Sequence, residues 1–154
     1  MNIAVIFAGG TGQRMNTRTK PKQFLELHGK PILVYTLEQF QYNKRIHGIV
    51  LVCLAGWIGY CYELIEKYHL EKVKAVVAGG RSGQESIFKG LEKAQEMYPQ
   101  DSNVLIHDGV RPLIDQDTIS KNIDCLETYG SAITVSSAIE TIVLKDENGE
   151  VKEI

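Results

Sequence analysis

An apolar run, Ile3–Phe7, leads directly into a segment that carries three glycines, Gly9, Gly10 and Gly12. The run is too short for a signal-peptide core or a membrane span, and its content favours a strand buried on both faces. Because glycine has no Cβ, the backbone after this strand can wrap closely around phosphate oxygens. Arg14 and Lys22 follow where they can fold back over the loop, so the pattern predicts a grip for a triphosphate.

The rest of the chain alternates short apolar runs with amphipathic stretches, which is typical of an α/β fold with a mainly parallel sheet. Five strands are predicted: Ile3–Phe7, Gly48–Leu54, Val73–Ala78, Asn103–His107 and Ala132–Ser136. Helices flank these strands, and their predicted positions are Pro31–Gln41, Gln84–Tyr98 and a stretch that begins at Asp115 or Asp117 and ends near Gly130.

The tail predicts a β-hairpin in which Thr141–Lys145 and Glu150–Ile154 pair around Asn148-Gly149. The sequence ends at Ile154, within the second predicted strand of this hairpin. A doubly wound sheet normally closes with at least one more βα unit. We therefore expect residues 1–154 to form a single domain that is incomplete at its C-terminus.

Composition limits the classes of partner. A net charge of −2 argues against broad binding to nucleic acid or to an anionic membrane, since both usually need a basic excess. The three cysteines include no C-x-x-C pair, which disfavours a disulfide framework or a zinc site and favours a reducing cytoplasm. Any binding of an anion must then depend on a local cluster of bases.

Three polar segments follow predicted strands: Gly9–Arg14, Gly79–Ser86 and His107–Pro112. The carboxyl ends of parallel strands share one edge of the sheet, so these segments are expected to meet there. The first segment is not a dinucleotide fingerprint, because Met15 stands at the third glycine position and no acid ends the second strand. It also lacks the Gly-Lys-Ser/Thr of a Walker loop, and its simplest alternative is a turn that serves geometry alone.

The other two segments are open to more than one interpretation. Gly80 and Ser86 can read a base or a ribose, or they can belong to an ordinary loop with a capped helix start. Asp108, directly after an apolar strand, suits Mg²⁺, which prefers carboxylate, water and phosphate oxygens. Asp108 and Arg111 can also form a structural ion pair, and we expect His107 to pack beneath the site rather than to act as a base.

Taken together, the chain resembles the cytidylyltransferases that activate polyol phosphates, in isoprenoid synthesis (2-C-methyl-D-erythritol 4-phosphate) and in wall-polymer synthesis (ribitol 5-phosphate). The motifs that carry the resemblance are Ala8–Met15, Pro21–Phe24, Gly79-Gly80 with Ser86, His107–Pro112 and Glu140–Val143. The resemblance implies a Rossmann-like fold of the nucleotide-diphospho-sugar transferase type, whose C-terminal hairpin begins an arm. It also implies a homodimer, Mg²⁺ as cofactor, and CTP and a polyol phosphate as substrates.

The resemblance also implies the functions of individual residues. Arg14 and Lys22 would hold the triphosphate and the reacting phosphorus, and Thr141 would face the polyol phosphate. Asp108 would bind Mg²⁺ and contact the nucleotide. The remaining nucleotide-binding residues would be Ala8, Gly9, Gly10, Gly12, Gly80, Ser86 and Arg111.

Two features distinguish this chain within the resemblance. Gly83 stands where the isoprenoid branch often has an arginine, and the Phe7–Gly10 and Glu140–Val143 segments look closer to the ribitol-phosphate branch. Family members continue for about a third more of the domain, so the chain is expected to match the N-terminal two thirds. Other interpretations are a nucleotide-binding remnant without turnover, a nucleotidyltransferase with another base and sugar-phosphate acceptor, and an NAD-binding oxidoreductase.

Overall fold

The computed structural model describes residues 1–10, 20–137 and 143–153. In chain order, the strands are β1 Asn2–Ala8, β2 Glu26–Leu27, β3 Lys30–Pro31, β4 Gly48–Cys53, β5 Val73–Ala78, β6 Asn103–Asp108, β7 Leu144–Lys145 and β8 Val151–Glu153. The helices are α1 Ile32–Tyr42, α2 Ile58–Lys67, α3 Gly83–Met97 and α4 Gln116–Tyr129. Two short 3-10 turns cover Lys22–Phe24 and Ala55–Trp57.

The central sheet has the strand order β5-β4-β1-β6, and all of its strands run parallel. The chain builds outward from β1 to β4 and β5, and then returns to place β6 on the other side of β1. This reversal puts the topological switch point beside β1. Ligands of open α/β sheets bind at the carboxyl edge of such a point, so the topology selects this edge for the site.

Two cores cover the faces of the sheet. On one face, Ala4 and Ile6 of β1 join a cluster with residues of α1, α2 and α4. On the other face, Ile3 and Val5 pack with Ala94 of α3 and its neighbours. Because alternate residues of β1 point to opposite faces, a continuous apolar run is the pattern that a strand covered on both sides requires.

The predicted helices are confirmed within a residue or two of their ends. Asp115, rather than Asp117, caps α4, because its Oδ1 accepts a hydrogen bond of 2.7 Å from the Thr118 amide. Gly130 ends that helix at φ 79°, a backbone conformation that favours glycine. Helix α2 was not predicted, although it is amphipathic and buries Cys61 and Leu64.

The predicted strand Ala132–Ser136 is wrong. Residues 131–137 form no regular element, and the Ile133 and Val135 side chains are 85% and 83% exposed. An alternating apolar pattern predicts the propensity for a strand, but a strand forms only against a partner backbone. Among the described residues, β6 pairs with β1 and with no second strand, so this segment lacks that partner.

The hairpin at the C-terminus is confirmed over the residues that the structure describes. β7 and β8 pair antiparallel, with Leu144 opposite Glu153, and Gly149 in the turn has φ 84°. Thr141 and Ile154, at the predicted ends of the hairpin, lie outside the described residues. None of the helices in 1–10, 20–137 and 143–153 has the length and apolarity needed to cross a membrane.

Candidate active site

A cavity of about 370 Å³ opens at the carboxyl ends of the four parallel strands. Seven of the residues that line it were predicted from the sequence: Ala8, Gly9, Gly10, Lys22, Gly80, Ser86 and Asp108. The three polar segments therefore meet at this edge, as expected. Residues that sequence reasoning did not assign also line the cavity, including Gln23, Leu54, Arg81 and Ser82.

Gly9 brings the first loop against the Gly79–Ser86 loop. A Cβ placed on Gly9 would stand 3.0 Å from Ser86 Oγ, tighter than most real Cβ contacts, whereas one on Gly10 would meet, among the described residues, the Lys22 Cε at 3.8 Å. The absence of a side chain at Gly9 is therefore a packing requirement between two loops. At Gly10 it leaves room beside the aliphatic part of Lys22.

The Gly79–Ser86 loop is held by its own hydrogen bonds. Ser82 caps α3 by accepting from the Glu85 amide at 3.1 Å, and Glu85 in turn accepts from the Arg81 amide at 2.8 Å. This exchange is close to a capping box. The Arg81 N–H and the nearby Lys89 ammonium stabilise the charged form of Glu85 and lower its pKa.

Ser86 lies at the centre of that loop and is 2% exposed. Its Oγ accepts a hydrogen bond of 3.0 Å from the Gly80 amide and donates one of 2.9 Å to the Ser82 carbonyl. With both functions of the hydroxyl engaged inside the protein, the geometry gives Ser86 a direct part in shaping the loop. Its predicted contact with a nucleotide stays a prediction.

The 3-10 turn places Lys22 at the cavity and anchors its neighbours elsewhere. Phe24 is fully buried and stacks on Trp57 with ring centroids 4.7 Å apart. Gln23 is also fully buried, and its Nε2 donates a hydrogen bond of 2.6 Å to the Ala8 carbonyl at the end of β1. Lys22 alone of the three remains partly exposed, with its stem beside Gly10.

Asp108 ends β6 and is fixed by the turn that follows. Its Oδ1 accepts from the Val110 amide at 3.1 Å, and its Oδ2 lies 3.5 Å from Nε of Arg111. Gly109 is pressed against the core, since a Cβ there would lie 2.9 Å from the Cβ of Ala8. Its carbonyl accepts from the buried Thr36 hydroxyl at 2.9 Å, so a core contact sets the position of the carboxylate.

Arg111 and His107 lie away from the cavity lining. The Arg111 side chain is 76% exposed and reaches the site only through its contact with Asp108, which fits a supporting residue. His107 packs on Phe40, with ring centroids 5.2 Å apart, and its Nε2 lies 3.0 Å from the Arg111 carbonyl. Burial lowers the His107 pKa, so the ring favours its neutral form, as expected for a residue beneath the site.

The donor set at the cavity suits a magnesium ion held jointly with a ligand. No group of three or more His, Cys, Asp or Glu side chains within residues 1–10, 20–137 and 143–153 could form a cage for a metal. Asp108 nevertheless offers a carboxylate that is one-quarter exposed and lines the cavity. Mg²⁺ is commonly bound by one or two carboxylates together with substrate phosphates and water, and Asp108 fits that arrangement.

Three predicted site residues, Gly12, Arg14 and Thr141, lie outside the described residues. Their assignments stay predictions. No sequence signal marks Gln23, because its place between Lys22 and Phe24 does not reveal the Ala8 carbonyl to which it bonds.

The fold and the site define an α/β domain with a polar cavity at the switch point of a parallel sheet. The family described as IspD, 2-C-methyl-D-erythritol 4-phosphate cytidylyltransferase, matches residues 2–154, and the chain belongs to this family. This confirms the resemblance drawn from the sequence motifs.

Relatives carry two names within this family. The ribitol-5-phosphate cytidylyltransferase of Streptococcus agalactiae is 54% identical over 154 residues, which are 100% of this chain and 64% of that protein. The 2-C-methyl-D-erythritol 4-phosphate cytidylyltransferase of Clostridium novyi is 42% identical over 153 residues, 99% of this chain and 64% of that protein. The chain thus spans slightly less than two thirds of the length of these curated relatives.

A solved structure supports the fold. The 4-diphosphocytidyl-2C-methyl-D-erythritol synthase of Anaerococcus prevotii superposes with a TM-score of 0.81 and 28% sequence identity. The match covers 99% of this chain and 62% of that one. The Rossmann-like α/β fold expected from the sequence is therefore confirmed.

Proposed function

We propose that the protein transfers CMP from CTP to a polyol phosphate, ribitol 5-phosphate in the first instance, and releases pyrophosphate. The observation that carries the proposal is the meeting of Lys22, Asp108 and the glycine backbone of two loops in one cavity at the switch point of the sheet. Cations and backbone N–H groups arranged in this way suit the charge of a triphosphate.

The reaction requires that the two substrates are positioned and that negative charge is stabilised, and it does not require a strong base. An oxygen of the polyol phosphate attacks the α-phosphorus of CTP, and the bond from that phosphorus to pyrophosphate breaks. A phosphate monoester has a second pKa of about 6, so the attacking oxygen is already ionised near neutral pH. His107, which is half-buried and whose pKa is lowered by burial, is then not needed as a base.

Lys22 is the described residue best placed to stabilise the reaction. Its ammonium lies at the cavity, where it would offset the charge that grows on the α-phosphorus and on departing pyrophosphate. Arg14 is proposed to share this function from the other end of the glycine-rich segment. The backbone beside Gly9, Gly10 and Gly80 would lie along the phosphates and the nucleoside.

Asp108 is the residue that would hold the magnesium ion. When bound, Mg²⁺ would neutralise part of the triphosphate charge and would help orient the leaving pyrophosphate. Arg111 and the Val110 amide hold the Asp108 carboxylate in place. Arg111, predicted to bind the nucleotide, is proposed to support that binding through its contact with Asp108.

The choice of ribitol 5-phosphate is supported by the relatives. Proteins named for ribitol 5-phosphate are 53–54% identical to the chain in Streptococcus agalactiae and Vibrio parahaemolyticus, against 42% for the Clostridium novyi protein named for methylerythritol phosphate. Thr141 is proposed to face this second substrate.

We also propose that the protein works as a homodimer through the C-terminal hairpin. Leu144 and Val151, on its two paired strands, are more than half exposed, which leaves apolar surface for a partner copy. Static light scattering of the purified protein tests this, and a monomer at micromolar concentration would refute it.

The cytoplasm is the proposed compartment, and the three cysteines as free thiols are consistent with it.

The function is tested by pyrophosphate release from CTP and Mg²⁺, with ribitol 5-phosphate and methylerythritol 4-phosphate as separate acceptors. We expect release with ribitol 5-phosphate. Release only with the second acceptor would overturn the acceptor, and release only with UTP, GTP or dTTP would overturn the base. CTP binding without turnover on either acceptor would favour a nucleotide-binding remnant.

A further inference from the structure

We propose that Gln23 is a positioning residue for Lys22: its side-chain amide ties the lysine-bearing turn to the end of β1. The inference rests on the proposed function of Lys22. Gln23 lines the same cavity but is fully buried, and its partner, the Ala8 carbonyl, is fifteen residues away in the sequence. It is thus a link between two parts of the site rather than a group presented to solvent.

The chemistry of the contact fixes the orientation of the amide. A backbone carbonyl only accepts hydrogen bonds, so Nε2 must face Ala8, at 2.6 Å, and Oε1 must point the other way. Oε1 is buried and has no hydrogen-bond partner among the described residues. The side chain is therefore satisfied at one end only.

A glutamine that served stability alone would be poorly chosen for this place. A buried acceptor without a partner costs on the order of 1–3 kcal/mol, which a methionine of similar length would avoid. The one bond that Gln23 makes joins the turn to Ala8, immediately before the Gly9 and Gly10 backbone that borders Lys22. Retaining the amide at that cost is explained if the position of the turn matters to the site.

The two anchors of the turn have separate functions. Phe24 stacks on Trp57 and meets Tyr60 edge-on at 5.3 Å, so aromatic packing holds the turn to the core. Packing of this kind tolerates small sliding motions, whereas a short hydrogen bond fixes one atom against another. Gln23 would set the register of the turn along β1, and the register decides where the Lys22 ammonium lies.

A double-mutant cycle tests this inference. Gln23→Met removes the amide and keeps the length of the side chain, and Lys22→Ala removes the cation. We expect Gln23→Met to lower kcat for pyrophosphate release by roughly 10- to 100-fold, the scale of a misplacement of about 1 Å. If Gln23 acts through Lys22, the double variant will lose no more than Lys22→Ala alone, since residues that act as one unit are not additive.

Controls separate positioning from stability. Gln41→Met removes another amide that links two elements, since Gln41 Oε1 accepts from the Lys72 amide at 2.8 Å away from the cavity. This control should lower the melting temperature and leave kcat unchanged. Trp57, the single tryptophan, stacks on Phe24, so unchanged emission in Gln23→Met would show that the turn is still packed.

Gln23→Leu gives a second variant if Gln23→Met does not fold, because it removes the amide donor without placing a charge in the buried site. Wild-type kcat in a folded Gln23 variant, or losses that add to those of Lys22→Ala, would overturn the inference. Failure of both variants to fold would overturn it too, since Gln23 would then be a folding residue.

A binding readout separates this inference from the proposed function. The same cycle is measured on the affinity for inorganic tripolyphosphate with Mg²⁺, which needs no turnover. Coupling between the two residues in that affinity, in a protein that releases no pyrophosphate from CTP, would refute the proposed function and keep the inference. Pyrophosphate release without coupling between Gln23 and Lys22 would refute the inference and keep the proposed function.

Discussion

Two walls of the cavity, the Gly79–Ser86 loop and the 3-10 turn Lys22–Phe24, are held by different kinds of contact. The Gly79–Ser86 wall is largely local: its side-chain hydrogen bonds join residues within ten positions of one another, and its last residues begin a helix. The wall that carries Lys22 depends on contacts across the fold, namely Gln23 with Ala8 and Phe24 with Trp57. The Gly79–Ser86 wall is tied to the sheet by the bond from the Gly79 amide to the Cys53 carbonyl at 2.7 Å, whereas both side-chain anchors of the other wall lie on the sheet or in its aromatic core.

The difference between the two walls indicates which substitutions should change the structure of the protein and which should change the binding of a ligand. Contacts within this wall engage the Ser86 hydroxyl both as donor and as acceptor, so its substitution is expected to act on the shape of the loop. The Lys22 wall leaves the ammonium without an ion-pair partner among the described residues, so its substitution is expected to act on the ligand.

The largest effect is expected from Lys22→Ala. Loss of one preorganised positive group typically lowers the rate by about 10²–10³, and we expect kcat for pyrophosphate release to fall in that range. Lys20→Ala is the matched control, because Lys20 pairs with Glu26 at 3.5 Å and does not line the cavity. Equal kcat in the two variants would remove Lys22 from the mechanism.

The second largest effect is expected from Asp108→Asn, which should lower the rate by a factor on the order of 10². The amide oxygen can still accept from the Val110 N–H, so the turn is kept while the charge is removed. A titration of rate against Mg²⁺ should show half-saturation at a higher concentration. Asp117→Asn is the control, since Asp117 pairs with Lys121 on α4, and an unchanged Mg²⁺ curve in Asp108→Asn would refute the assignment.

Gly9→Ala compares the two walls where they touch. The added methyl would lie 3.0 Å from Ser86 Oγ, and overpacking of this kind costs about 1–3 kcal/mol. We expect a lower midpoint in urea unfolding than for Gly10→Ala, whose methyl meets the Lys22 Cε at 3.8 Å in the part of the chain that the structure describes. Adding Ser86→Ala should recover part of the Gly9→Ala loss, and equal midpoints for the two glycine variants would contradict the packing described here.

The smallest effect concerns Glu85 and pH. Its pKa lies below the ordinary value of 4.5 because the Arg81 N–H and Lys89 favour the charged form. The stability it contributes is therefore present above pH 4.5 and is lost as the pH falls through the lower, folded-state value. Hydrogen exchange at the Arg81 amide, corrected for intrinsic rates, should become less protected in that window, and Glu85→Gln should remove the dependence.

Much of the fold follows from patterns within single segments. The buried strands are continuous apolar runs, and α4 shows both of its ends through Asp115 and Gly130. The segment Ala132–Ser136 has an alternating apolar pattern that also predicts a strand, but a pattern cannot supply the partner strand on which pairing depends. Helix α2 was not predicted although its segment is amphipathic, and it begins without a capping side chain that would mark its start.

The same distinction, between patterns within one segment and contacts between segments, applies to the residues of the site. Glycines and charged residues after strands were predictable, because the parallel sheet brings the ends of its strands together. Gln23 was not, since its meaning depends on the Ala8 carbonyl, and that contact exists only once the turn is folded onto β1. The hydrogen bonds of Ser86 likewise emerge only when Gly80 and Ser82 are placed around it.

A crystal structure of the protein with CTP and Mg²⁺ tests the central claim most directly. The account predicts the triphosphate in the cavity between the Gly9-Gly10 backbone and Lys22, with the metal bound by the Asp108 carboxylate and phosphate oxygens. A nucleotide bound elsewhere, for instance in the groove between β6 and α4, would contradict it. So would a triphosphate in the cavity that leaves both Lys22 and Asp108 without contact.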